Sequence, residues 1–141
     1  MKKAQVLSVA CGLAVLSATA GDFIWTGKGA AGAWTDPANW TDGDGETVET
    51  CPQAGDTAAV NGDVTITSDF GLGGAAGTTD VLSVTIADGK TLTFDCAISG
   101  NGALAVSSAN TGRVQLRGAN SFTGDLTVDN SGGGEFLVMK P

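Results

Sequence analysis

Short runs of alternating apolar and polar residues recur along most of the chain, separated by glycine, asparagine and aspartate. A period of two places the first and third residue of each run on one face of a β-strand, with Thr, Ala or Gln mostly on the other. No segment shows a convincing helical period. We therefore predict an all-β fold with strands at residues 64–66, 84–86, 92–94, 104–106, 114–116, 126–128 and 136–138.

The spacing of these strands is regular. The last five begin at residues 92, 104, 114, 126 and 136, so steps of 12 and 10 alternate and the repeat is 22 residues long. Gly102 and Gly124, like Gly112 and Gly134, are also 22 residues apart. A unit of this length cannot bury its apolar face alone, whereas stacked coils form one continuous core. The spacing favours a parallel β-solenoid, or β-helix, over a meander of hairpins such as a β-sandwich.

The segment before the repeats has a different composition. All three tryptophans, Trp25, Trp34 and Trp40, lie in it, and every later aromatic residue is a phenylalanine. We predict an N-terminal cap over residues 21–62, followed by solenoid repeats over residues 63–141. The tryptophans have two interpretations: they plug the open end of the solenoid, or they form an aromatic platform for sugar rings.

Residues 1–20 have the pattern of a secretory signal peptide. Two lysines precede an apolar run, and Ala18-Thr19-Ala20 forms an A-x-A cleavage pattern before Gly21. The apolar run is shorter than the roughly 20 residues that span a bilayer, so we expect no stable membrane insertion of the mature chain. The predicted location is secreted or on the outer surface. An oxidising compartment makes Cys51 and Cys96 candidates for a disulfide.

Charge and composition exclude several function classes. The chain has 15 acidic and 7 basic residues, and loss of Lys2 and Lys3 with the leader leaves 15 against 5, a net charge of −10. Nucleic acid is therefore not an expected partner. The absence of histidine excludes Ser-His-Asp and Cys-His catalysis. The two cysteines that follow the leader do not complete a zinc site.

Calcium is the one cofactor that the sequence suggests. Asp42, Asp44 and Glu46 alternate as ligands do in calcium loops, but the twelfth position of such a loop is Gln53 and lacks the usual glutamate. The alternative interpretation is a solvated acidic turn, and we expect no cofactor.

Two stretches resemble a known repeat family. They resemble the autotransporter-associated β-strand repeat. The two stretches are Ile98-Ser99-Gly100-Asn101-Gly102-Ala103-Leu104 and Gly118-Ala119-Asn120-Ser121-Phe122-Thr123-Gly124. The residues that carry the resemblance are Gly100, Gly102, Gly118, Asn120, Phe122 and Gly124. The tryptophan segment, with Pro52 and Gly55-Asp56, is similar to the leading segment of large bacterial surface proteins that carry these repeats. The resemblance implies a right-handed parallel β-helix, often the passenger of a longer chain. The sequence lacks the C-terminal β-barrel of that family and ends directly after a strand, so we expect the N-terminal fragment of a longer protein, or a truncated relative, with its last repeat incomplete.

The expected function is that of an exported, non-enzymatic surface or secreted protein with a structural or display role. One alternative is a glycan-binding or adhesive module with an extracellular glycan or surface protein as partner. A second alternative is a β-helix enzyme that degrades polysaccharides, because such enzymes use clustered carboxylates. Candidate carboxylates are Asp63, Asp69, Asp88, Asp95, Asp125 and Asp129. Their positions beside turns also suit ordinary turn residues. The sequence predicts no oligomeric state.

Overall fold

The computed structural model describes residues 20–73 and 80–139 of the chain, so nearly all of the predicted signal peptide lies outside the described residues. Within them, no helix has the length and apolar character needed to cross a membrane. The elements in chain order are β1 (Asp22–Trp25), a 3-10 helix (Pro37–Asn39), β2 (Trp40–Asp42), β3 (Thr57–Val60), β4 (Val64–Ile66), β5 (Phe70–Leu72), β6 (Val81–Ile86), β7 (Thr91–Phe94), β8 (Ile98–Gly100), β9 (Ala103–Ser108), β10 (Arg113–Leu116), β11 (Leu126–Asp129) and β12 (Glu135–Val138).

The later strands stack in parallel with the repeat length that the sequence predicts. Leu92, Val114 and Phe136 are direct neighbours on β7, β10 and β12. Strands β6, β9 and β11 pair in the same way, with partners 22 residues apart along the chain. Among the described strands, antiparallel pairing is confined to β1 and β2 in the N-terminal segment. The predicted parallel β-solenoid is confirmed, and the hairpin meander is wrong.

The coils wind through three sheets. The second coil, for example, consists of β6, β7 and β8, one strand in each sheet. The largest sheet has six strands in the order β11-β9-β6-β3-β1-β2, the next has four in the order β12-β10-β7-β4, and β5 pairs with β8. Like positions of successive coils therefore lie above one another, as in other repeat architectures.

The first coil is longer than the later ones. Val64 pairs with Leu92, and the hydrogen bond from the Thr91 amide to Asp63 beside this pair spans 28 residues, whereas the contact between Thr85 and Ser107 spans 22 residues. The difference lies between β5 and β6, which eight residues connect, whereas two residues connect β8 to β9. Strand β3 lies within the predicted cap segment of residues 21–62, yet it pairs in parallel with β6 as a strand of the first coil. The predicted boundary at residue 62 thus falls inside the solenoid.

Inward-facing side chains of the coils form one apolar core. Leu82, Leu92 and Leu104 have no exposed surface. Burial of each such side chain contributes on the order of 1.5–3 kcal/mol. Outward-facing positions carry polar groups, and Thr85 and Ser107 on adjacent coils lie within hydrogen-bond distance at 3.3 Å. The alternation read from the sequence is therefore the division between core and surface.

The N-terminal segment closes the lower end of the stack. Strand β1 pairs in parallel with β3, and β2 then pairs antiparallel with β1 as the last strand of the sheet. On the neighbouring face, the Gly32 carbonyl accepts hydrogen bonds from the amides of Thr67 and Ser68, which follow β4. At this end the six-stranded sheet therefore terminates in β2, and the cap loop is bonded to the residues that follow β4.

Candidate functional site: the cap, the corners and the terminal coil

The tryptophans belong to the packing of the cap. Trp34 and Trp40 are 0% and 1% exposed, so neither presents a face to a sugar ring. Their indole nitrogens donate to the carbonyls of Pro52 (3.1 Å) and Trp34 (2.8 Å), which satisfies the polar atom of each buried ring. Trp25 is partly exposed, and its ring packs edge-on against Trp40, with ring centroids 5.0 Å apart. The three residues are thus packed as a plug and not as an open platform.

Trp34 connects the cap to the solenoid core. Its ring stacks on Phe70 of the first coil, with centroids 5.0 Å apart and an interplanar angle of 14°. It also packs against Phe94 of the second coil, with ring centroids 5.6 Å apart. The cap and the coils therefore share one core.

Asn39 fixes the loop that carries these tryptophans. Its side chain is fully buried, and its amide nitrogen donates to the carbonyls of Ala30 (2.7 Å) and Ala33 (2.9 Å). Its amide oxygen accepts from the Gly29 amide at 2.8 Å. The sequence pattern alone did not single out Asn39, which directly precedes the buried Trp40.

The acidic turn after β2 does not form a calcium site. Among the described residues, no three acidic, histidine or cysteine side chains are grouped so that they could hold a metal ion. The Asp42 carboxylate instead accepts hydrogen bonds from the amides of Asp44 (3.0 Å) and Glu46 (2.8 Å). The Asp42 amide donates to the Glu46 carbonyl, so the turn folds back along β2. Its carboxylates stand at the outer edge of the last strand, where charge discourages pairing with another chain.

Side chains at the solenoid corners bind one coil to the next. Asp63 accepts a hydrogen bond from the Thr91 amide (2.8 Å), and Asp69 accepts one from the Ala97 amide (2.7 Å). Both contacts span 28 residues, which is one turn of the first coil. Two of the candidate catalytic carboxylates are thereby engaged with backbone. Sequence reasoning assigned them to turns but missed this contact, although each directly precedes a strand.

Asp88 makes the equivalent corner contact between the second and third coils. Its carboxylate accepts hydrogen bonds from the Thr111 hydroxyl (2.8 Å), the Thr111 amide (3.1 Å) and the Asn110 side chain (3.4 Å). The hydroxyl of Thr111, followed by its amide, lowers the pKa of Asp88 below the ordinary value of 3.8. The pKa of Asp129 is lowered in the same direction by the Ser131 amide and hydroxyl. Both carboxylates are held in the charged form.

The repeat-motif residues act at the same kind of junction. Asn120 accepts a hydrogen bond from the Ile98 amide of the coil below (3.2 Å) and donates to the Gly118 carbonyl (3.0 Å). Phe122 packs, partly buried, against the core. A side chain at Gly118 would collide with the Cys96 carbonyl. Close backbone approaches also explain Gly100 and Gly124, whereas a Cβ at Gly102 would meet the side chain of Ala54.

The predicted disulfide between Cys51 and Cys96 is wrong, because Cys96 is a free, buried thiol. Cys96 lies at the corner between β7 and β8, whereas Cys51 lies in the loop that leads into the first coil. The expected oxidising compartment suggested this disulfide, but it gives no information on whether the two side chains meet in the fold. Burial, followed by the charges of Asp69 and Asp95, raises the pKa of the Cys96 thiol to about 12. The thiol is therefore neutral and unreactive in the folded chain.

The upper end of the stack is the exposed part of the apolar structure. Leu126 and Val128 of β11 are 38% and 36% exposed, although the residues that they pair with on β9, Leu104 and Val106, are buried. Val138 of β12 is 57% exposed. Among the described residues, no strand pairs with the outer edge of β11 or β12.

Comparisons with known proteins add no identification. A scan against protein-family models finds no matching family, and searches of the curated proteins and of the solved structures find no match. The resemblance to autotransporter-associated repeats therefore stays a prediction from motif residues.

Proposed function

We propose that the chain is an exported, non-enzymatic β-solenoid of the cell surface or the extracellular medium, with a structural or display role. The observation that carries this proposal is the use of corner side chains. Asp63, Asp69 and Asp88 accept hydrogen bonds from the backbone of the following coil, and Asn120 accepts one from the preceding coil. Polar groups that bind coil to coil stiffen a stack, as a spacer requires.

The same contacts disfavour a polysaccharide-degrading enzyme. A glycosidase needs a pair of carboxyl groups across the scissile bond, and its acid requires a raised pKa. The pKa values of Asp88 and Asp129 are lowered. Asp63 and Asp69 are held by amides of the next coil. The corner carboxylates therefore suit a scaffold better than a catalytic pair.

A glycan-binding role has little support from the tryptophans. Sugar-binding platforms use exposed aromatic faces, whereas Trp34 and Trp40 are buried in the cap. Trp25 alone keeps part of its surface accessible. We regard display as the better supported function.

Export is tested by expressing the full chain in a bacterium. The leader motif predicts a mature protein that begins at Gly21 and is found outside the cytoplasm. N-terminal sequencing and cell fractionation measure both properties. An Ala20→Arg variant, which spoils the A-x-A pattern, is the control and should remain unprocessed. A chain that stays in the cytoplasm with Met1 intact would contradict export.

The structural role is tested on the purified exported chain. We expect no retention of any glycan on an array and no release of unsaturated or reducing ends from acidic polysaccharides. If the chain releases such products, the Asp88→Asn and Asp69→Asn variants assign the activity to a corner. Reproducible product release, or glycan retention that Trp25→Ala abolishes, would overturn the structural proposal.

A further inference from the structure

Gly21 lies where the chain enters the fold. Its amide donates a hydrogen bond to Asp56 Oδ1 at 2.8 Å, and its carbonyl accepts one from the Thr57 amide at 2.9 Å. Ala20, directly before it, is exposed, whereas Gly21 is partly buried. The peptide bond that the leader motif marks for cleavage therefore joins an exposed residue to one that is held by the start of β3.

The Asp56 carboxylate is fixed at this position. Its Oδ2 accepts a hydrogen bond from the Gln53 amide at 2.8 Å, while the Asp56 amide donates to the Gln53 carbonyl at 3.0 Å. Within the described part of the chain, no lysine or arginine forms an ion pair with Asp56. The carboxylate is thus pre-oriented towards the Gly21 nitrogen and carries a charge that no basic side chain balances.

The nitrogen of Gly21 is held in place from its other side as well. A Cβ at this residue would lie 2.6 Å from the ring of Phe23, which is itself buried in the core. The space at this position therefore accepts only glycine, and the Phe23 ring and the Asp56 carboxylate together determine where the nitrogen stands.

We propose that cleavage of the Ala20–Gly21 bond completes the fold by creating an ion pair between the new α-ammonium of Gly21 and Asp56. This inference rests on the proposed export. A leader peptidase of the exporting cell adds water across the peptide bond, so that Ala20 leaves with a carboxylate and the Gly21 nitrogen becomes a protonated amine. Because this nitrogen already stands 2.8 Å from Asp56 Oδ1, a neutral hydrogen bond becomes a charge-assisted one. Asp22 on β1 and Asp42 on β2 add negative charge to the surrounding elements, which also favours the ammonium.

Two exported chains that differ in the position of the amine test the pairing. The natural chain is compared with a variant that has one threonine inserted between Ala20 and Gly21. The mature variant has the same net charge but keeps a neutral amide at Gly21. Thermal unfolding of the two purified chains should show that the natural chain melts higher by about 3 °C at neutral pH.

The pH dependence of this difference identifies the ammonium. An unpaired α-amine loses its proton at about pH 8, and pairing with a carboxylate raises the pKa of the amine above that value. The advantage of the natural chain should therefore be complete below about pH 8 and be lost as the pH rises through the raised pKa.

A substitution of the acidic partner provides a second measurement. Asp56→Asn should lower the melting temperature of the natural chain more than that of the threonine variant, because only the natural chain loses an ion pair. The matched control is Asp125→Asn, which removes a carboxylate directly before β11 and should affect both chains equally. If Asp56→Asn fails to fold, the pH comparison of the two chains that retain Asp56 decides.

N-terminal sequencing separates failure of this inference from failure of export. A chain that keeps Met1 overturns export and the pairing with it, and cleavage at another bond overturns the pairing. A processed chain that begins at Gly21 but melts like the threonine variant at every pH leaves export intact and overturns the ion pair alone.

Discussion

Gly118 stands where two coils pass too closely for a side chain. A Cβ at this position would meet the backbone of Cys96, which cannot move without shifting its own coil. We expect Gly118→Ala to lower the free energy of unfolding by about 3 kcal/mol or more, as severe overpacking does. Chemical denaturation measures the loss. The control is Gly62→Ala, at a turn where a Cβ meets no atom and φ is not left-handed. An unchanged midpoint for Gly118→Ala would contradict the close approach.

Asp88 provides a test of the corner contacts through pH. The Thr111 hydroxyl and amide lower its folded-state pKa below 3.8, so the contact stabilises the fold above that pH and is lost as the pH falls through the folded value. We expect Asp88→Asn to melt at a lower temperature than the natural chain at neutral pH. The difference should shrink as the pH falls below 3.8.

A second variant separates the two donors of this contact. Thr111→Val removes the hydroxyl and keeps the backbone amide, so it should reduce the pH dependence of the melting temperature without abolishing it. Melting curves followed by circular dichroism measure both variants. A gap between Asp88→Asn and the natural chain that stays constant into acid would rule out a charge-dependent contact.

At the level of elements, spacing predicted the later coils and failed for the first. The columns through Leu92, Val114 and Phe136 follow from the regular strand spacing and period-two alternation. The connection from β5 to β6 is longer than the one from β8 to β9, so no period in the sequence linked β3 to β6 or β4 to β7. Corner length does not alter a core column, and it is therefore not constrained by the hydrophobic pattern.

The candidate site was less predictable than the fold. Aromatic content indicated the cap, but whether Trp34 faced water or Phe70 depended on contacts far apart in sequence. Likewise, Asp63 reads as a turn residue, and its partner Thr91 is identified only when the coil length is known. The free thiol of Cys96 shows the same limitation. An oxidising compartment allows a disulfide, but it does not tell which cysteines lie close together in the fold.

The coil itself can be tested as a unit by duplicating residues 103–124. The junction places Gly124 before Ala103, where Gly102 stands in the natural chain, and every core column gains one member in register. Since stack stability is a sum of coil and interface terms, the longer chain should melt several degrees higher, by about 2–8 °C. Thermal unfolding measures the change.

The matched control for this duplication is one residue shorter. Omitting Ala105 from the second copy shifts the alternation, so the residues that follow in the inserted strand turn their apolar side chains to solvent. This variant should melt lower than the natural chain. If both duplications behave alike, the register of the repeat does not determine the stacking.

At the scale of the whole molecule, the two ends differ in how their edges are satisfied. The lower end has β2, the Gly32 carbonyl and a tryptophan plug, whereas the upper end has neighbours on one side only among the described residues. In a quasi-one-dimensional stack, each coil is held by its nearest neighbours. Stability should therefore be highest in the middle coils and fall towards β11 and β12.

Native-state hydrogen exchange of the chain resolves this gradient residue by residue. The Leu92 amide lies between two coils and should exchange only on global unfolding. In β11 the order should alternate, with Leu126 and Val128 exchanging fast because their amides point to the open edge, and Thr127 more slowly because its amide faces β9. Equal protection along β11, or protection there equal to that of Leu92, would contradict a stack that is open at one end.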